Sequence, residues 1–123
     1  MLNYKIIQNL TNPKNVGNLK NSNGVAEVKS NDGSEILKLF IQVEDNVIKN
    51  AKFKALGSPM AIAVGSVLTQ IINDKDLDEC NDVSKITFGT ILGTIDDSKE
   101  YLVDMAIRCL EKAILNYNKN LLK

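Results

Sequence analysis

Val47-Ile48-Lys49-Asn50-Ala51-Lys52-Phe53-Lys54-Ala55-Leu56-Gly57-Ser58-Pro59-Met60-Ala61-Ile62-Ala63-Val64 is the stretch that decides the fold, because its apolar spacing changes halfway along. Up to Leu56 the pattern is strand-like, with Val47, Ala51, Phe53 and Ala55 on one side. After Gly57 it turns helical, and Ala61, Ile62, Val64, Leu68, Ile71 and Ile72 form a broad apolar stripe ending near Asn73-Asp74. Ser58-Pro59 marks the boundary. Serine suits the N-cap, and the missing N–H of proline costs nothing at the first helical position.

Two further strands are expected upstream, over 25–28 and over 35–43, the second carrying Ile36, Leu37, Leu39, Phe40, Ile41 and Val43. Asn31-Asp32-Gly33 turns the chain between them, and Glu44-Asp45-Asn46 suits the hairpin into the third strand, 47–56. A short helix is expected over 3–10, stopped at Thr11-Asn12-Pro13 because the residue before proline is pushed out of the helical region. The Asn- and Gly-rich stretch 15–24 reads as loop. Downstream, 76–93 reads as one or two short helices. A long last helix begins near Asp96-Asp97-Ser98, where Asp97 and Glu100 have capping-box spacing. Its buried side holds Leu102, Met105, Ala106, Cys109, Leu110, Ala113, Ile114 and Tyr117. The expected class is α+β: a three-stranded antiparallel sheet with helices packed on one face.

At 123 residues the chain is expected to be one domain spanning 1–123, with a core large enough to need neither disulfide nor metal. Fifteen basic and fifteen acidic residues give a formal net charge of zero, which argues against nucleic acid as the main partner. The longest apolar stretch, around Met60 to Leu68, is interrupted by Gly65 and Ser66 and falls far short of the roughly 20 residues of a membrane span. The first residues, Met1-Leu2-Asn3-Tyr4-Lys5, lack the apolar run of a signal peptide, so a cytoplasmic protein is expected. Cys80 and Cys109 are the only thiols and lie 29 positions apart, which is no metal signature. There is no histidine, so the commonest metal ligand and general base is missing.

Four segments, Asn12-Pro13-Lys14-Asn15-Val16-Gly17, Lys38-Leu39-Phe40-Ile41-Gln42-Val43, Ala51-Lys52-Phe53-Lys54 and Gly57-Ser58-Pro59-Met60-Ala61-Ile62-Ala63, stand in the order and spacing of a known family. In them the chain resembles the NifU/IscU-type iron–sulfur cluster assembly scaffold proteins, from about Tyr4 to Tyr117. The resemblance implies a SufE/NifU-like fold and a site where three cysteines, assisted by an aspartate and a histidine, hold a nascent cluster or zinc. Counting from the matching segments, those positions are Gly33, Glu35, Ser58, Tyr101 and Leu102. None supplies a thiolate, so neither metal nor cofactor is expected there. Glu35 reads as a solvated residue at a strand start, Ser58 as a helix cap and Leu102 as a ligand position repacked as core. Cys109 reads as a buried small hydrophobe and Cys80 as a partly exposed thiol in an acidic stretch. The family's chaperone-binding segment, Leu-Pro-Pro-Val-Lys, is matched by Ile95-Asp96-Asp97-Ser98-Lys99, without either proline.

Two functions of different kinds follow. The first is a scaffold-like homologue without the usual cluster-holding chemistry, binding a cysteine desulfurase or another assembly protein as a regulatory or structural subunit. The second is a metal or cluster carrier with a rearranged site, either within one protomer or intersubunit, for which Asp32, Glu35 and Cys80 or Cys109 would have to supply ligands. An enzyme is not expected, because without histidine no nucleophile–base pair is legible.

Overall fold

The computed structural model describes residues 3–123. Helix α1 (Tyr4–Thr11) leads into β1 (Gly24–Lys29), β2 (Ile36–Glu44) and β3 (Val47–Leu56), which form one antiparallel sheet in the order β1-β2-β3. Helices α2 (Pro59–Ile72), α3 (Lys85–Leu92) and α4 (Glu100–Leu121) follow, with short 3-10 turns at Glu79–Asp82 and Asp97–Lys99. Helix α4 packs on β1 and β2, α2 packs on β3, and α1 packs on α2. All the helices therefore serve one face of the sheet, as the change of period at Gly57 implies.

Local chemistry accounts for the turns. Asp45 and Asn46 take positive φ (52° and 66°), the geometry of a two-residue hairpin, and their short polar side chains tolerate it. Between β1 and β2, the Asp32 carboxylate accepts from Ser30 Oγ (2.8 Å), Ser34 N (3.0 Å) and Ser34 Oγ (2.7 Å). Upstream, Asn15 to Gly17 runs along the free edge of β3. Phe53 N donates to Asn15 O (2.9 Å) and Gly17 N to Phe53 O (2.8 Å), so Val16 bridges to the sheet within a stretch expected to be plain loop. That contact covers an edge which would otherwise present unpaired backbone groups.

Three expectations need correction. Val47 is not on the core side of β3. The register slips between Gln42 and Val43, so that Val43 pairs with Ile48 while Gln42 pairs with Asn50. The extra residue turns Ile48 inward, fully buried, and leaves Val47 half-buried. Asp97 and Glu100 form no capping box. Residues 97–99 make a 3-10 turn, and it is Asp96 that accepts from Ser98 N (3.0 Å). Cys80 is buried rather than partly exposed.

The close approach of α2 to the sheet rests on Gly65. A Cβ there would lie 2.3 Å from Phe53 Cδ2, and Phe53 is itself buried in the centre of β3. Gly65→Ala gains about 1 kcal/mol of helix propensity. It also forces helix and ring apart, at an overpacking cost of about 1–3 kcal/mol. A net loss of stability is expected, and denaturant unfolding checks it.

Candidate functional site

The connection from β3 to α2 is two residues long. Gly57 (φ 126°) makes a turn that side-chain-bearing residues rarely adopt, and a Cβ on it would stand 2.7 Å from Glu35 Cγ. The turn therefore seats directly on the residue that precedes β2. Ser58 N donates to Glu35 Oε1 (3.1 Å), and the Ser58 hydroxyl donates to the same oxygen. From the first turn of α4, the Tyr101 hydroxyl donates to Glu35 Oε2. One carboxylate thus ties together three segments: the entry to β2, the start of α2 and the start of α4.

Two bland readings fail here. Glu35 is not solvated; it is only 4% exposed. Ser58 sits in the N-cap position but makes no side-chain cap bond; its hydroxyl is directed at Glu35, to which it donates. The start of α2 is set instead by Pro59 and by Ala61 N donating to Ser58 O (3.0 Å). The convergence of Glu35, Ser58 and Tyr101 was the feature that sequence reading missed. Its one available signal was a carboxylate, a hydroxyl and a phenol at three positions that the resemblance already grouped.

Electrostatics follow the geometry. Burial works to raise the Glu35 carboxyl, but the Ser58 hydroxyl, the Tyr101 hydroxyl, Ser58 N–H and the charge of Lys99 together hold it below its ordinary value. Tyr101 is pushed up to about 12 by the bond it donates to Glu35, then by burial and by the charges of Glu35 and Asp32. Asp32 is held at about 2, first by the Ser34 hydroxyl and N–H and then by the Ser30 hydroxyl. At neutral pH the centre is a carboxylate anion held by neutral donors.

The remaining positions part company. Gly33 lies in the β1–β2 turn at φ 75°, with open space where a side chain would point. Leu102 is 2% exposed and belongs to the core cluster. The donor set is one carboxylate, one hydroxyl and one phenol, with no sulfur, and it does not fit an iron–sulfur cargo that is held by thiolates. Among the described residues, no group of three or more His, Cys, Asp or Glu side chains is placed to hold a metal ion. Neither cysteine joins the cluster of Glu35, Ser58 and Tyr101. Cys109 Sγ donates weakly to Ala26 O (3.5 Å) and Leu37 O (3.6 Å), and burial pushes its thiol up to about 12. Cys80 is likewise raised to about 11, chiefly by burial. Both are poor sources of thiolate at neutral pH.

The family model described as the NifU-like N terminal domain matches residues 1–123. The chain belongs to that family. It is 28% identical over 117 residues to an iron-sulfur cluster assembly scaffold protein IscU of Archaeoglobus fulgidus, covering 95% of this chain and 76% of the relative. To the nitrogen fixation protein NifU of Azotobacter chroococcum it is 31% identical over 115 residues, 92% of this chain but 37% of that longer protein. Among solved structures, the N-terminal NifU-like protein of Brucella abortus superposes with a TM-score of 0.79 at 13% identity, covering 95% of this chain and 94% of that one. A SufU scaffold described as putative, from Fervidobacterium islandicum, gives 0.75 at 18% identity, covering 91% and 95%. At such identities these structures speak for the fold: a three-stranded antiparallel sheet with four helices. Among the described residues, no helix is long and apolar enough to cross a membrane.

Two measurements probe the site. Leu102→Ala should cost about 2–5 kcal/mol as a buried leucine truncation, read by denaturant unfolding. Glu35→Gln should cost about 1–3 kcal/mol near neutral pH, since it removes charge from the hydrogen bonds with Ser58 and Tyr101. Because the folded Glu35 titrates below its ordinary 4.5, its contribution is present above that pH and is lost as pH falls through the folded value. The stability gap between parent and Glu35→Gln should therefore close as the pH drops below about 4.5.

Proposed function

We propose that this chain is a scaffold-fold homologue that does not hold an iron–sulfur cluster in its family's manner. It acts instead by binding another assembly component, such as a cysteine desulfurase, as a regulatory or structural partner. It works as a single domain in the cytoplasm and is not an enzyme. The observation that supports this reading is the Glu35 carboxylate, sequestered by Ser58 and Tyr101, three positions that the sequence resemblance matches to the family's ligands. Leu102 adds hydrocarbon in place of a third thiolate. The relatives' names speak for iron–sulfur assembly as the setting, and the donor set speaks against cluster-holding as the role. The rival reading, a carrier rebuilt around Cys80 or Cys109, has to contend with two buried thiols held protonated at neutral pH.

Anaerobic incubation with ferrous iron and sulfide, followed by desalting, tests the proposal. The expected outcome is no retained visible absorbance, and no change in melting temperature with EDTA. Restoring a cluster should require at least Gly33→Cys, Ser58→Cys and Leu102→Cys together. The first of these is strained, because Gly33 sits at φ 75°. A chromophore retained by the unmodified protein and lost on replacing Cys80 or Cys109 overturns the proposal.

A further inference from the structure

The sheet face turned away from the helices has an ordered chemistry that the fold itself does not use. Strand registers place Lys29, Ile36 and Leu56 in one row across the three strands. The next row on that face is Glu27, Lys38 and Lys54, and the third is Val25, Phe40 and Lys52. Alternation confirms the side: the residues between them, such as Ala26, Leu37, Leu39 and Phe53, are buried against the helices. Four lysines thus share this face with one glutamate and four large apolar side chains.

Lys38 and Lys54 stand directly opposite each other, an arrangement that destabilises an antiparallel pair. Glu27 stands opposite Lys38 on the other side but makes no ion pair with it within 4.0 Å, and Lys54 has no acidic residue opposite it. Among the described residues, the ion pairs within 4.0 Å are those of Lys85 with Glu100 and Asp104. Lys38 Nζ lies over the Phe40 ring, 5.2 Å from its centroid, so the ammonium itself faces a ring that is only 8% exposed. Beside it, an open depression of about 310 Å³ runs between Lys38, Lys54, Ile36 and Leu56, and Leu56 is 66% exposed. Since the whole chain is formally neutral, this concentration of positive charge is a local feature and not a by-product of composition.

We infer that this face docks an acidic, amphipathic segment of a partner protein, whose carboxylates meet Lys38, Lys52 and Lys54 while its apolar side chains enter the depression beside Ile36 and Leu56. The inference is independent of whether Glu35 and its neighbours hold metal. Apolar side chains interleaved with the lysines favour a protein segment over a polyphosphate chain, which has no hydrocarbon to bury. Three strands about 4.8 Å apart, over some five residues of about 3.3 Å each, give a patch on the order of 300–400 Å² once side chains are included. A stable dimer needs about 800 Å² from each partner, so a single segment fits where a second copy does not.

The test uses a synthetic peptide of about 12 residues alternating Glu or Asp with Leu or Phe, titrated into isotopically labelled protein and followed by NMR amide shifts. A single-stranded oligonucleotide of equal charge is the comparison, and sedimentation reports self-association. Shifts confined to β1–β3 are expected, with affinity falling about tenfold or more in Lys38→Glu/Lys54→Glu. The single change Lys54→Glu adds a readout that a purely structural role would not give. It should weaken the peptide and yet raise the melting temperature by about 1–4 °C, because it turns a repulsive cross-strand pair into an attractive one. No peptide shift on this face by about 1 mM overturns the inference. So do equal binding of the oligonucleotide, self-association through these strands, or a lowered melting temperature in Lys54→Glu.

Discussion

Between the last residue of β3 and the first of α2 there are only Gly57 and Ser58, and the site is shaped by how little room that leaves. A helix returning so soon must lie close on its own sheet. Gly65 permits this by placing no side chain where the Phe53 ring sits, and Gly57 permits it by turning with φ at 126° against Glu35. The same tight return delivers Ser58 N–H and hydroxyl to one oxygen of the Glu35 carboxylate. Helix α4, packed across β1 and β2, brings Tyr101 to the other. Packing constraints and polar contacts here are one arrangement viewed from two sides.

Much of this was legible in the residues because it depends on period and on turn chemistry. The change at Gly57, the polar turns at Asp32-Gly33 and Asp45-Asn46, and the stop before Pro13 each depend on a few adjacent residues. What escaped was non-local. A bulge adds one residue to β3 and exchanges Val47 for Ile48 in the core, and no alternation rule shows which residue will be extra. Whether Ser58 caps its own helix or bonds a residue 23 positions earlier depends on how near Glu35 comes, which only the packed sheet determines. Cys80 sits in an acidic stretch that reads as surface, yet it is covered by the packing of its 3-10 turn. Of the two positions counted along α4, Tyr101 reaches Glu35 and Leu102 lies in the core.

The donors gathered around Glu35 are physically coherent as a set. A thiolate site needs soft donors left open to an incoming metal. A lone buried carboxylate has the opposite need, since charge without partners is costly and must be satisfied from within the protein. Ser58 and Tyr101 satisfy it, and the neighbouring Leu102 packs into the core.

The Glu35 clamp and the sheet's outer face are also linked through register. Glu35 immediately precedes Ile36, and Gly57 immediately follows Leu56, so the cross-strand pair Ile36–Leu56 forms the border between the clamp and the lysine-bearing rows. The carboxylate that joins β2 to the start of α2 therefore also fixes where β2 and β3 end relative to each other. A shift of one residue in that pairing would turn one strand over relative to the other and send Lys54 or Lys38 towards the core, where an unpaired ammonium group is strongly disfavoured. Loosening the clamp thus has only one tolerable result on the outer face, fraying of the Ile36–Leu56 end without a change of register, because the lysines themselves oppose any slip.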